Sequence, residues 1–250
     1  MSVTKKALLL AAVLAAGCGS EAKKAIEQRR MAVAPKLAKV TSIADQARAL
    51  PPVKEGSLTL GAAPLVMAFL TTTPLRTGTV VYAEDLDDLS VFKDEPPHYN
   101  MRVRQAGLIQ ACGQLLSKGT YGMQTAANVH ANVAIEYLDA CANLAYVFVL
   151  RTREVKGRSF EGDVVAFDLA DGKPIGGFPI SFTSEGRRDQ VSNTTKSVST
   201  RRVGNRNRTT VTETTTTATV DADREQLRSD LDGEIEAAIV KLAPSSKWLN

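Results

Sequence analysis

Histidine and cysteine are scarce in this chain of 250 residues, which has two histidines, three cysteines and one tryptophan. His98 lies in a Pro-Pro-His-Tyr segment, and His130 lies near the apolar side of a predicted helix, where a hydrogen-bonded core histidine is the usual explanation. Neither histidine has a second histidine or a cysteine at the spacing of a zinc site. The sequence therefore predicts no metal site and no cofactor.

Catalytic motifs are absent as well. The segment Gly157–Gly162 approaches a nucleophile elbow but has one residue too many after its serine, and no phosphate-binding loop or dinucleotide fingerprint occurs. No internal repeat is visible, which disfavours a propeller or a solenoid. We therefore expect a non-catalytic protein, with an unrecognised hydrolase as a minor alternative.

Long apolar runs are confined to the amino terminus. Lys5 and Lys6 precede an unbroken apolar run over Ala7–Ala16, and Gly17-Cys18 follows it. Such a run is too short to span a bilayer core of about 30 Å, and its charged start and small-residue end are typical of a secretory signal. The ending resembles the lipobox of bacterial lipoproteins, which implies removal of residues 1–17 and lipidation of Cys18. An ordinary signal peptide is the alternative.

The same resemblance predicts a compartment. Gly19 and Ser20 follow the cysteine, and neither is the aspartate that marks inner-membrane retention in enteric lipoproteins. We therefore expect an exported protein, lipid-anchored in the cell envelope, on the outer membrane facing the periplasm. Removing 17 of 250 residues leaves 233, and losing Lys5 and Lys6 lowers the net charge from +4 to +2. That small charge gives no argument for nucleic acid, which an exported protein is not expected to bind.

Cys112 and Cys141 remain as an even pair once Cys18 is set aside. In the predicted helices Arg104–Ser117 and Thr125–Cys141, each cysteine lies in the apolar stripe. An even pair in an exported protein favours a disulfide bond. Two buried free thiols are the alternative.

Residues 18–55 are predicted to form a lipid-anchored tether. Glu21–Leu50 is charged and alanine-rich, with apolar residues at near-helical spacing. We expect Pro35 to kink or split this helix, and Pro51-Pro52 to end it. Two interpretations stay open: a helical stalk that lifts the domain 56–250 off the membrane, or a helix whose apolar stripe packs onto that domain.

The rest of the chain predicts a single α+β domain, with a mixed, mostly antiparallel sheet and helices packed on it. Leu144–Leu150 is apolar on both faces, as in a central strand, whereas the polar continuation Arg151–Val155 is expected to reach solvent. Pro179 favours an edge or a bulge for the last strand of the sheet. Further strands are predicted at Thr77–Ala83, Phe160–Leu169 and Ile175–Thr183. A hairpin turn is predicted at Asp171-Gly172, and a closing amphipathic helix at 221–243.

One segment of this domain has a family resemblance. Residues 146–178, with a strand followed by a hairpin whose turn carries Asp171-Gly172, are weakly similar to the sheet of periplasmic accessory lipoproteins of the TolB-amino-domain and curli-assembly type. The resemblance implies the same fold class and nothing about a ligand.

Two acid-rich segments are candidate calcium sites. Glu84–Asp88, with Asp94 and Glu95 close by, offers carboxylate oxygens, but solvated carboxylates are the favoured interpretation. The segment around Gly233 fails as an EF-hand because Arg228 and Ile239 stand at the first and last ligand positions.

Residues 184–220 are rich in serine, threonine and arginine. Two extended halves flank the turn-forming run Gly204–Asn207, which predicts a long protruding β-hairpin, with a disordered loop as the alternative. Seven basic and three acidic residues give the segment a net charge of +4. Arginine clusters suit phosphate or carboxylate groups, although the basic residues also keep a ribbon soluble and block edge pairing. The candidate binding residues are Arg187, Arg188, Lys196, Arg201, Arg202, Arg206 and Arg208.

Together these patterns predict a non-catalytic, lipid-anchored envelope protein that serves as a binding or assembly accessory for a protein partner. The alternative is a binding module for an anionic envelope polymer or lipid, acting through the basic hairpin 187–208.

Overall fold

The computed structural model describes residues 3–68, 75–89, 107–117, 131–185, 190–203, 206–219 and 222–249. Over 3–20, 190–203, 206–219 and 222–225 the description is of the backbone and its pairing. The fold is α+β, as predicted, with a mixed, mostly antiparallel five-stranded sheet.

The helices are α1 (Val3–Ala49), α2 (Leu108–Ser117), α3 (Ala131–Asn143) and α4 (Ala222–Leu242), with a short 3₁₀ helix at Ala83–Leu86. The strands are β1 (Ser57–Leu58), β2 (Val66–Ala68), β3 (Gly78–Tyr82), β4 (Tyr146–Lys156), β5 (Ser159–Asp168), β6 (Lys173–Thr183), β7 (Gln190–Val203), β8 (Arg206–Thr219) and β9 (Lys247–Leu249).

The main sheet has the strand order β1-β6-β5-β4-β3, in which β3 runs parallel to β4 and the other neighbours are antiparallel. β4 is buried on both faces over its first five residues, as its continuous apolar run predicts. Val147 and Val149 face one hydrophobic cluster, whereas Tyr146, Phe148 and Leu150 face a second cluster on the other side. The sheet is therefore the middle layer between two cores.

The three helices α1, α2 and α3 build the first core, and α4 with the β2–β9 pair builds the second. The predicted stripe of α4 is confirmed, because its apolar residues are buried against the sheet and Pro244 follows the helix end. These residues are Leu227, Leu231, Ile235 and Ile239, with Leu242 partly buried beside them.

The helix α1 corrects the picture of a free stalk. It is one uninterrupted helix that contains Pro35 and ends at Ala49, so the proline does not split it and Pro51-Pro52 follows its end. From Ile26 onward its apolar side packs into the first core, with Val33 and Val40 fully buried. The interpretation that the stripe packs onto the domain therefore holds, and the globular body begins within α1 instead of near residue 56. Its buried residues are Val33, Leu37, Val40, Ile43, Ala44 and Ala47.

Basic side chains of α1 strengthen this contact by binding carbonyl groups at the ends of other elements. Arg30 Nη2 donates to the carbonyl of Leu116 at the end of α2 at 2.5 Å. Lys36 Nζ donates to the carbonyl of Ala142 in the last turn of α3 and to that of Leu144 just after the helix, the second at 2.7 Å. The last carbonyls of a helix lack intrahelical partners and carry the negative end of its dipole, so cations are favourable there. Burial, followed by the charge of Lys39, lowers the pKa of Lys36.

The β5–β6 hairpin follows the sequence prediction. Its turn contains Asp171, whose Oδ1 accepts the Lys173 N–H at 3.0 Å, and Gly172 at a φ of 73°, a conformation that favours glycine. The exposed carboxyl of Asp171 has a lowered pKa, chiefly because of that backbone hydrogen bond. Pro179 lies on β6 beyond the two residues that pair with β1, so it stands where β6 is the edge of the described sheet.

β7 and β8 form the predicted long hairpin. They pair antiparallel over 14 residues each, in a two-stranded sheet separate from the main one. At about 3.4 Å per residue, each strand is about 45 Å long. We call this hairpin the ribbon.

Candidate functional site

The ribbon carries five of the seven basic residues that the sequence singles out. Lys196, Arg201 and Arg202 lie on β7, and Arg206 and Arg208 lie on β8. Arg187 and Arg188 lie outside the described residues. Arg206 and Asn207, which the sequence assigns to the turn-forming run, belong to β8.

The register decides which of these residues share a face. Residues directly opposite each other in an antiparallel pair lie on the same face, and faces alternate along each strand. Arg201 lies opposite Arg208, and Arg206 lies opposite Val203, so these three arginines share one face. Arg202 lies opposite Asn207, on the other face.

The same register shows how the charge is distributed along the ribbon. In the middle of the strands, the one pair of charged residues is Lys196 opposite Glu213, which is neutral overall. Before the ribbon, Glu185 and Asp189 balance Arg187 and Arg188 in the sequence. The net charge of +4 therefore comes from the eight residues 201–208, which contain four arginines and no acid. We call these eight residues the tip.

The end of β6 that leads into the ribbon is fixed to the turn between β4 and β5. The Ser184 N–H donates to the carbonyl of Arg158 at 2.9 Å, and Arg158 Nη1 donates to the carbonyl of Glu185 at 2.7 Å. In the last residue pair between β5 and β6, the hydroxyls of Ser159 and Thr183 form a hydrogen bond of 2.8 Å. The chain that leads into the ribbon is therefore hydrogen-bonded to the main sheet through Ser184 and Glu185.

A groove of about 560 Å³ lies beside that point, between the end of β6 and the first half of α4. Within it, Gln226 Nε2 donates to Asp230 Oδ1 at 2.7 Å. Its lining has three carboxylates, and none of them belongs to the described part of the 84–95 cluster. The lining residues are Phe182, Thr183, Glu185, Gln226, Ser229, Asp230, Gly233 and Glu234.

Two of the described carboxylates of the 84–95 cluster bind side chains of the protein itself. Asp85 is buried and accepts a hydrogen bond from Gln110 Nε2 at 2.8 Å, while Asp87 pairs with Arg48 Nη2 at 2.6 Å. Asp94 and Glu95 lie outside the described residues. Within the described parts of the chain, no group of three or more histidine, cysteine or acidic residues is arranged to hold a metal ion.

The two cysteines meet as their helical positions predict. The Sγ atoms of Cys112 on α2 and Cys141 on α3 lie 2.13 Å apart, and both residues are fully buried in the first core. The pairing is confirmed at disulfide distance; the oxidised state in the cell stays a prediction. The pair joins α2 to α3.

The other predicted positions are less informative. Cys18 lies within the backbone of α1, and His98 and His130 fall outside the described residues. None of the described helices combines the length and the apolar character needed to cross a bilayer.

Sequence reasoning missed the ion pair between Arg151 on β4 and Asp163 on β5. Arg151 Nε and Nη2 donate to the two Asp163 carboxylate oxygens at 2.7 and 2.6 Å. The same guanidinium reaches the carbonyls of Ala47 and Leu50 at 2.8 and 2.7 Å, and Asp163 also accepts the Val53 N–H at 2.7 Å. Arg151 was expected at the solvent, but it lies under the end of α1 with 13% of its side chain exposed.

Buried Arg76 is a second polar group that the sequence did not reveal. Its Nε donates to the carbonyl of Gly78 at 2.8 Å and its Nη2 to the hydroxyl of Thr79 at 2.9 Å. Burial lowers the pKa of Arg76 to about 10. These contacts hold the start of β3, beside the second core, and indicate a structural role.

Comparison with known proteins adds no assignment: no family model, no curated protein and no solved structure matches this chain. The resemblance to accessory lipoproteins therefore stays a prediction, and function has to be argued from the fold and the ribbon.

Proposed function

We propose that this protein is a lipid-anchored, non-catalytic accessory of the bacterial envelope that binds a protein partner through the ribbon. The observation that carries the proposal is that β7 and β8 form a sheet of their own, outside the main sheet. An isolated two-stranded hairpin is only marginally stable in water, and a third strand or a packed surface stabilises it. A strand or surface of a partner is the natural complement of such a ribbon.

The body of the protein suits a scaffold role. Two cores on either side of one sheet, a cysteine pair and the Arg151–Asp163 contact make a firm base, and the chain that leads into the ribbon is hydrogen-bonded to that base. If Cys18 carries lipid, it lies eight positions before Ile26, the first residue that packs on the core. Eight helical residues span about 12 Å, so the body would lie close to the membrane surface.

Crosslinking tests the proposed partner. A photoreactive residue at Thr210 or Thr215 on β8 should yield adducts with an envelope protein in intact cells. The matched control is Glu154, an exposed position on β4 outside the ribbon. Adducts of equal yield at Glu154 and at the ribbon positions, or none at either, would contradict the proposal.

Anchoring is tested separately through Cys18. The wild-type chain should sediment with membranes and carry a lipid on the mature amino terminus, whereas Cys18→Ser should not be processed at that site. An unmodified Cys18 in the intact mass of the membrane-bound protein would contradict lipidation. Retention of the protein in inner-membrane fractions would contradict the outer-membrane placement that Gly19 and Ser20 favour.

The second candidate function is the binding of an anionic envelope polymer or lipid. The observation that favours it is the concentration of the ribbon's net charge in the tip. Such binding should weaken steeply as salt rises, because exposed charges are screened over about 8 Å at physiological ionic strength.

A further inference from the structure

The tip places like charges where a stable hairpin avoids them. Arg201 and Arg208 are directly opposite in the register, and like charges in such a pair destabilise a strand pair. The middle of the same ribbon follows the opposite rule, since Lys196 faces Glu213. The tip is therefore arranged for an anion that is supplied from outside the ribbon.

The spacing of the three arginines on that face suits one compact anionic group. Cβ atoms of directly opposite residues lie about 5 Å apart, and residues two apart on one strand lie about 7 Å apart. Arg201, Arg208 and Arg206 occupy such register positions, so these positions lie within about 8 Å of one another. Arg202, on the other face, is not part of the group.

We propose that the face formed by Arg201, Arg206 and Arg208 binds phosphomonoester groups displayed on an anionic membrane surface. Phosphate carries up to two negative charges on oxygens that match the planar guanidinium fork, which a single carboxylate does less well. The inference rests on the proposed function in one respect, because it uses the same ribbon as the binding element. It adds a ligand class and separates three arginines from the other basic residues.

Vesicle tethering tests this inference on the full, lipid-anchored chain. The protein is reconstituted in phosphatidylcholine vesicles, and a second population of vesicles carries phosphatidic acid in phosphatidylcholine. The wild type should tether the two populations, as measured by energy transfer between labelled lipids. The triple variant Arg201→Gln/Arg206→Gln/Arg208→Gln should lower the apparent affinity on the order of 100-fold, given the typical effect of each basic residue near an anionic surface.

The matched control removes the same number of charges from other positions. Lys54→Gln/Lys156→Gln/Lys241→Gln removes three exposed charges outside the ribbon, leaves the three-arginine face intact and should retain affinity within about threefold if the face is decisive. Equal losses in the two triple variants would show that overall charge governs binding, and would overturn the inference. Failure of the wild type to tether at low salt would overturn it as well.

The source of the phosphate is decided by competition. Inhibition of tethering by inorganic phosphate would support a site for a single phosphate group. Tethering that resists inorganic phosphate but is lost in the first triple variant would support recognition of a phosphate-bearing lipid surface. Tethering that is equally strong with vesicles of phosphatidylcholine alone would overturn the inference.

Hydrogen exchange shows whether a variant has lost the ribbon instead of the site. Removing the Arg201–Arg208 repulsion should leave the amide protection of β7 and β8 equal or higher. If the triple variant loses amide protection, the single variant Arg208→Thr is used in its place, because threonine favours strands and the substitution removes one charge. Arg208→Thr should lower the tethering affinity about fivefold. Crosslinking at Thr210 is measured on the same variants. If these variants still form the protein adducts and still tether vesicles as the wild type does, the phosphate site is refuted, whereas binding of a protein partner by the ribbon remains supported.

Discussion

Removing the Asp163 carboxylate should cost this protein a large part of its stability. Asp163 has 2% of its side chain exposed and accepts three hydrogen bonds, two from Arg151 and one from the Val53 N–H. In Asp163→Ala the guanidinium would remain under the end of α1 without its counter-charge. Breaking a buried pair from one side typically costs about 3–5 kcal/mol.

The control lies on the same strand. Glu161 pairs with Arg153 at 3.2 Å, with about half of its side chain exposed, and exposed pairs typically contribute at most about 1 kcal/mol. Urea unfolding followed by circular dichroism measures both variants. With a slope of about 2–3 kcal/mol per molar urea, Asp163→Ala should lower the midpoint by about 1–2.5 M, whereas Glu161→Ala should barely move it.

A second comparison isolates the pair. In the double variant Asp163→Ala/Arg151→Met, neither charge is left alone, so the loss should be smaller than the sum of the two single losses. Amide protection at the end of α1 should fall in both single variants, because Arg151 also holds the Ala47 and Leu50 carbonyls. A loss in Asp163→Ala as small as that in Glu161→Ala would refute the argument that this contact fixes α1 to the sheet.

Three further outcomes are expected. Cys112 and Cys141 should resist alkylation in denatured protein until a reductant is added, and Cys112→Ser/Cys141→Ser should cost about 3–4 kcal/mol in urea unfolding; labelling of both thiols without reductant would contradict the bond. Replacing residues 187–217 with a Gly-Ser turn should leave the urea midpoint nearly unchanged, because the ribbon is a sheet apart from both cores; an unfolded product would show that it belongs to the core. The folded-state pKa of Lys36 is below its unfolded value of 10.5, so between these two pKa values the unfolded chain binds more protons than the folded one. The free energy of unfolding of the wild type should therefore rise relative to that of Lys36→Met as the pH climbs towards 10.5. Parallel plots of unfolding free energy against pH for the two proteins would contradict this.

Elements with a strong apolar pattern were predictable from the sequence. The run from Leu144 to Leu150 and the stripe of α4 each allow one burial pattern, and both are buried as expected. The cysteine pair was predictable too, because both residues lie in the apolar stripes of neighbouring helices. Asp171-Gly172 marked its hairpin through local turn chemistry.

Long-range polar contacts were not predictable in the same way. A stripe of alanine and valine on α1 is compatible with a free helix or a packed one, and the choice depends on partners about a hundred residues away. Arg151 reads as a solvent residue because its charge is visible in the sequence, whereas the carboxylate and the helix end that receive it are not. The ribbon's existence could be predicted, but the face shared by Arg201, Arg206 and Arg208 required the register.

The packing of α1 also sets an order of events during synthesis. The helix is made before the elements that it packs on, since its partners Asp139, Ala142 and Arg151 come roughly a hundred residues later. The apolar side of α1 therefore stays uncovered until α3, β4 and β5 have been made, and the first core closes late. Contacts of such high sequence separation slow folding and leave apolar surface exposed meanwhile. During this interval the apolar side of residues 33–47 is exposed in the nascent chain, and we expect a chaperone to bind that segment.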